Sequence, residues 1–186
     1  ATKYIVGHSD AMLGTIAVNA AALADVARLI GQAGITVAPD EVYLGTRGLR
    51  TLAVRLKQHQ ENAWRVARWL QTRPEVKRVL YPALPDDPGH ALWKRDFTGA
   101  SGLFGVVFKA SSDKAVAAMI DDMELFGLGF SWGGFESLAI HCDPQLKLRP
   151  DKPRFEGPVV RLHVGLEDPD DLIADLRQAL DVYSAA

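Results

Sequence analysis

Eight apolar residues, Leu49, Leu52, Ala53, Leu56, Ala63, Val66, Ala67 and Leu70, recur at helical spacing and constrain this chain more than any other feature. Residues three and four apart share one face of an α-helix, so the stripe predicts a long amphipathic helix over about 46–72. Arg50, Lys57, Gln58, Glu61, Arg65 and Arg68 fall on the opposite side, and Pro74 supplies a stop. Apolar runs predict strands over 12–18, 76–81, 103–108, 125–130 and 159–164. Helices are expected over 19–30, ended by Gly31 and Gly34, and over 112–121. A last helix opens at Asp168, with Pro169 in its first turn and Leu172, Ile173, Leu176, Leu180 and Tyr183 as its buried stripe. Residues 82–89, with three prolines and two aspartates, read as a loop, and so does the stretch with prolines at 144, 150, 153 and 158. Alternating strands and helices imply an α/β or α+β layer architecture.

Composition narrows the functional classes. A length of 186 residues allows one domain, or one domain and a piece of another, and 48% apolar content is enough for a real core. With 21 basic and 23 acidic side chains, no general electrostatic hold on nucleic acid or an acidic membrane is expected. Cys142 is the only cysteine, which excludes an internal disulfide framework and fits a reducing, cytoplasmic setting. The apolar stretch over 12–30 is interrupted by Asn19, Asp25 and Arg28, so neither a membrane span nor a leader is expected.

Few residues stand out chemically. A lysine near a chain end is ordinarily a surface residue, but Thr2 precedes Lys3, and Gly7-His8-Ser9-Asp10 and Gly14 suggest tight turns around it. A hydroxyl beside a lysine can hold a phosphate, and the amine can form a Schiff base with a carbonyl cofactor. Strand alternation puts Arg161 and His163 on one face and Val160, Leu162 and Val164 on the other. By itself Arg161 reads as a surface arginine and His163 as a satisfied structural histidine. Ser131-Trp132-Gly133-Gly134 reads as a glycine turn with a packed indole. The spacing of Gly127, Gly129 and Gly133 misses the dinucleotide fingerprint by one residue. His141-Cys142-Asp143 has no partner ligands at metal spacing, so no metal is expected. Asp168, Asp170 and Asp171 are accounted for by helix capping. Arg47 and Arg50 flank a helix start and could face an anion, though solvated side chains are the commoner outcome.

Thr2-Lys3-Tyr4-x-x-Gly7-His8-Ser9-Asp10-x-x-x-Gly14 resembles the cofactor-attachment motif of the Cys/Met-metabolism transsulfuration family of pyridoxal-phosphate enzymes. The resemblance continues through Arg47-Gly48-Leu49-Arg50-Thr51-Leu52, Ser131-Trp132-Gly133-Gly134-Phe135-Glu136-Ser137 and Val160-Arg161-Leu162-His163-Val164-Gly165-Leu166-Glu167-Asp168. Trp132, and the segment Trp93-Lys94-Arg95-Asp96-Phe97-Thr98-Gly99, resemble the β-acting branch of that family, where γ-acting relatives usually carry Leu at the former position.

The resemblance implies the aspartate-aminotransferase fold type (fold type I). Residues 1–50 would be the end of the large cofactor-binding domain and 51–186 the α+β C-terminal domain. It implies pyridoxal 5′-phosphate as cofactor, with Lys3 as the catalytic and cofactor-binding amine and Thr2 as a phosphate ligand. Arg161, Ser131 and Trp132 would bind the amino-acid substrate, with Tyr43 a further candidate that core packing explains equally well. The reaction implied is β-elimination from L-cystathionine to homocysteine, pyruvate and ammonia; γ-cleavage or synthesis, or a non-catalytic binding module, are the alternatives. Phe130 stands where the β-acting pattern carries a tyrosine, so any role for that hydroxyl is lost. Family members are longer, which implies a C-terminal half of a subunit paired with its N-terminal half, in a homotetramer.

Overall fold

The computed structural model describes residues 1–110, 112–151 and 155–185. After an irregular segment, helix α1 spans Ala20–Ala33; the Asn19 side chain accepts from the Ala22 amide and Gly34 closes the helix in the left-handed region. The long helix, α2, runs Pro39–Gln71. It begins earlier than the apolar stripe requires because Pro39 presets the first turn and Asp40 and Glu41 favour the positive end of the helix dipole. Strand β1 (Val76–Leu80), helix α3 (His90–Asp96), strand β2 (Leu103–Phe108) and helix α4 (Asp113–Asp121) follow. Then come β3 (Gly127–Leu128), β4 (Leu138–His141), the short α5 (Asp143–Leu146), β5 (Val159–His163) and α6 (Pro169–Ala185).

The strands form one sheet in the order β1-β2-β5-β4-β3, antiparallel except for the β3–β4 pair. Phe104, Val106 and Phe108 of β2 and Val160 and Leu162 of β5 alternate into the core. There they meet Ala63, Val66, Ala67 and Leu70 from the end of α2, Val116 and Met119 of α4, and Leu172, Leu176 and Leu180 of α6. The opposite face of β5 carries Arg161 and His163, as the alternation predicts. No helix among the described residues is long and apolar enough to cross a membrane.

Four expectations are corrected. Residues 12–18 are not a strand: Met12 and Ile16 are 81% and 65% exposed, and no described strand offers them a ladder. Residues 125–130 supply only the two-residue β3. Between the glycine turn and the strand over 159–164 the sequence reading has only a polar stretch, yet β4 forms there, four residues too short to show periodicity but paired on both sides by β3 and β5. The α2 stripe divides: its last four members are buried, whereas Leu49 is 56% exposed. Part of the stretch between β4 and β5, residues 152–154, lies outside the described residues.

A buried carboxylate joins α6 to the turn after α4. Asp175, 7% exposed, accepts from the amides of Glu124, Leu125 and Phe126 at 2.8, 2.9 and 3.1 Å. Asp175→Ala strands three donors at once, and hydrogen bonds to a charged partner are worth about 1.5–3 kcal/mol each before solvent compensates. A loss of about 3 kcal/mol in urea unfolding is expected; a loss below about 1 kcal/mol contradicts the assigned role.

A candidate site between the Lys3 turn and β5

Lys3 sits in a single tight turn in which the Gly7 amide donates to the Lys3 carbonyl at 2.8 Å. Helix α2 clamps this turn from behind. The Arg55 Nη1 donates to the Tyr4 carbonyl at 2.8 Å, while Nη2 donates to those of Ile5 and Gly48 at 3.2 and 2.7 Å. Arg55 is 6% exposed and burial lowers its pKa; backbone carbonyls, rather than a carboxylate, solvate the guanidinium. The helix comes so close at Gly48 that a Cβ there would lie 2.2 Å from the Ile5 oxygen. The Thr2 hydroxyl oxygen accepts from the Leu13 amide at 3.0 Å, which leaves its proton available to an anion.

The second wall is the turn from Ser131 to Gly134. Gly133 has φ +85°, and a Cβ on it would lie 2.8 Å from the Tyr4 nitrogen, so the glycine turn packs directly on the lysine turn. Its far end is tied to the chain after β5. The Glu167 carboxylate accepts from the Ser137 amide and hydroxyl at 2.6 and 2.9 Å, and the Gly165 amide donates to that hydroxyl at 2.8 Å. Asn62 of α2 donates to the carbonyls of Gly165 and Glu167 at 3.1 and 2.9 Å.

These supports bring two cations over one indole. The Lys3 Nζ donates to Ser131 Oγ at 2.9 Å and lies 4.3 Å from the centre of the Trp132 ring. The Arg161 Cζ lies 5.3 Å from the same ring. Arg161 Nη2 donates to the carbonyls of Gly129, Phe130 and Ser131 at 3.3, 2.8 and 3.1 Å. Its Nε is buried without a partner. Nη2 is thus anchored to the protein, while Nε, on the same edge of the guanidinium, is buried without a partner, beside a primary amine. That is a receptor for an anionic group carrying an amine-reactive neighbour.

Lys3, Ser131, Trp132 and Arg161, all expected from the sequence, are therefore brought together, with Thr2 beside Lys3 in the chain and bonded to the Leu13 amide. Tyr43, on the first turns of α2, is 67% exposed and enters none of the contacts that join the others. Phe130 is 69% exposed and contributes only its carbonyl. Arg47 and Arg50 are exposed. His163 is fully buried, and burial brings its pKa down to about 4, so it is neutral at neutral pH. The Cys142 thiol is half-buried, and burial pushes its pKa up. The fold supplies what sequence spacing does not, an Asp113 whose carboxylate comes within 4.8 Å of the ligand atoms of His141 and Asp143. Lys147 Nζ, 3.8 Å from Asp113, already supplies positive charge there.

Sequence reasoning missed Tyr4, Arg55 and His59 as part of this site. A signal existed: Arg55, His59 and Asn62 fall in register with the apolar stripe of α2, where a polar residue must have buried partners.

The sequence matches the Cys/Met metabolism PLP-dependent enzyme family over residues 1–181. It is 50% identical over 183 residues to a cystathionine beta-lyase of Escherichia coli (strain K12), covering 95% of this chain and 46% of the relative. A cystathionine beta-lyase of Salmonella typhimurium is also 50% identical, over 94% of this chain and 45% of the relative. Among solved structures, cystathionine gamma synthase from Xanthomonas oryzae pv. oryzae, in complex with aminoacrylate and cysteine, superposes with a TM-score of 0.90 at 35% identity. That superposition covers 99% of this chain and 49% of the synthase. The chain spans about half the length of the relatives it matches.

Proposed function

Because the chain belongs to the Cys/Met metabolism PLP-dependent enzyme family, we propose that its protein is a carbon–sulfur β-lyase that cleaves L-cystathionine to homocysteine, pyruvate and ammonia. The observation that carries the proposal is the convergence of the Lys3 amine and the Arg161 guanidinium over Trp132. The residues fit pyridoxal phosphate chemically. Lys3 offers an amine to the aldehyde, Thr2 offers an unused hydroxyl proton to the phosphate, and Arg161 keeps a buried, unpartnered Nε for a carboxylate. When bound, that cofactor supplies an electron sink for negative charge at the substrate Cα.

The protein's own work is positioning and proton transfer. Arg161 receives the substrate α-carboxylate, and the bonds from Nη2 to the Gly129, Phe130 and Ser131 carbonyls hold the guanidinium still as it does so. The clamped carboxylate turns the Cα–H bond towards Lys3, whose amine takes the proton from Cα. Ser131 Oγ, 2.9 Å from Nζ, aims that amine. Trp132 lies against both side chains and bounds the space for the sulfur-bearing arm. The thiolate then leaves from Cβ.

In this reading Tyr43 is a further substrate contact, supplied once the rest of the subunit is in place. The chain divides near residue 50 into the end of a cofactor-binding domain and a C-terminal domain, joined by α2. The partners are the N-terminal half of the subunit and further copies in a cytoplasmic homotetramer.

Product analysis of the full-length enzyme tests the reaction. Pyruvate with homocysteine from L-cystathionine is the expected result. 2-Oxobutyrate with cysteine would overturn it in favour of γ-cleavage, the activity type to which the 35% identity with a γ-synthase leaves room.

A further inference from the structure

Behind the Lys3 turn lies a buried group of three rings that the reaction does not use: Tyr4, His59 of α2 and His163 of β5. Tyr4 meets His59 and His163 edge-on at 5.3 and 5.9 Å between ring centres, and the two imidazoles are 5.3 Å apart. Both histidines are fully buried. Each has one nitrogen with a protein partner and one without.

Those partners fix the protons. His59 Nδ1 is 2.9 Å from the Val164 carbonyl, which can only accept, so the proton of neutral His59 is on Nδ1 and Nε2 is a lone pair. His163 Nε2 is 3.1 Å from the Gly133 amide, which can only donate; with Nε2 as the acceptor of that bond, the proton is on Nδ1. The two nitrogens left over are therefore a donor on His163 and an acceptor on His59, on adjacent rings. The Gly134 carbonyl, 3.2 Å from the same Nε2, would favour the other tautomer. Accepting from Gly133 gives that buried amide its acceptor and leaves the Nδ1 proton without a partner.

We propose that His163 is a positioning residue: its Nε2, kept as an acceptor, fixes the Gly133 amide and so sets where Ser131 and Trp132 stand relative to Lys3. The bonded amide belongs to the residue directly after Trp132. The same turn carries the carbonyls that anchor Arg161, so loosening it costs substrate capture before it costs proton transfer. Burial keeps the imidazole neutral at working pH, which keeps the lone pair in place. The role rests on the reading of Lys3 and Arg161 given above.

Two substitutions in the full-length holoenzyme separate the nitrogens. His163→Gln reaches as far as Nε2 and offers an oxygen to Gly133; His163→Asn reaches only as far as Nδ1 and leaves that amide bare. The expected result is a KM for the amino-acid substrate raised at least about tenfold in H163N, with kcat within about threefold. H163Q should stay within about threefold of wild type in both. Amide hydrogen exchange of the 131–137 peptide should quicken at least about tenfold in H163N and little in H163Q. Equal losses in the two variants, or an unchanged KM in H163N, overturn the proposal. If H163N does not fold, exchange in H163Q decides alone: protection within about threefold of wild type supports the proposal, and lost protection overturns it. The exchange measurement needs no cofactor. A wild-type protein that binds no pyridoxal phosphate would therefore sink the reading of Lys3 and leave this test standing.

Discussion

Replacing Lys3 by alanine is expected to lower kcat by at least about four orders of magnitude, because the amine is asked to be both the cofactor's anchor and the group that moves the Cα proton. Little else should change. The side chain's contacts are one hydrogen bond to Ser131 Oγ and the approach to Trp132, whereas the turn that carries it is held by Arg55 through backbone carbonyls that alanine preserves. Thr2 is untouched, so some cofactor affinity should remain, and the melting temperature should stay within a few degrees, as for a substitution outside the core. Steady-state kinetics with pyruvate detection, beside thermal unfolding of the same preparation, separates the two effects. Residual turnover above about one per cent would show that another base does the work.

The second large effect is expected at Arg161. Its removal should cost about 2–5 kcal/mol in kcat/KM, or roughly 30- to 5,000-fold, since a buried carboxylate would lose its charged partner. Arg161→Ala also frees the carbonyls of Gly129, Phe130 and Ser131, so part of any loss could come from the turn itself. An amine substrate analogue without the carboxylate separates these contributions. Its binding should be nearly indifferent to the substitution if carboxylate capture dominates, and should weaken in parallel if the turn dominates. Arg161→Lys should recover less than about tenfold, because an ammonium lacks the planar fork that can bond backbone carbonyls and a carboxylate at once. A near-normal kcat/KM in either variant removes Arg161 from the site.

The surroundings of these two residues were legible in the sequence, their roles only through the family resemblance. Lys3 follows a hydroxyl within a glycine-punctuated turn, and Arg161 alternates out of a β-run whose other face is Val160, Leu162 and Val164, but each by itself reads as a surface residue. The elements with long periods were legible too. The end of α2 buries its predicted residues, and α6 buries its stripe except Ile173, which is partly buried. What could not be read depends on contacts distant in sequence. β4 is a strand because β5 and β3 flank it, not because its four residues alternate. Residues 12–18 have the composition of a strand but no described neighbour to pair with. The apolar start of α2 likewise stays exposed, since amphipathicity says which face seeks cover and not whether cover is at hand. Arg55 and His59 escaped notice because a charged or polar residue in an apolar stripe looks like an interruption until its partners, the carbonyls of Tyr4, Ile5, Gly48 and Val164, are known.

The central claim, that the Lys3 amine holds the cofactor, is most directly tested by borohydride reduction of the full-length holoenzyme followed by peptide mass mapping. Reduction turns a carbon–nitrogen double bond between lysine and pyridoxal phosphate into a stable amine. The account predicts a single phosphopyridoxyl adduct on the peptide containing Lys3. An adduct on a different lysine, or no adduct on a protein that has demonstrably bound the cofactor, contradicts it.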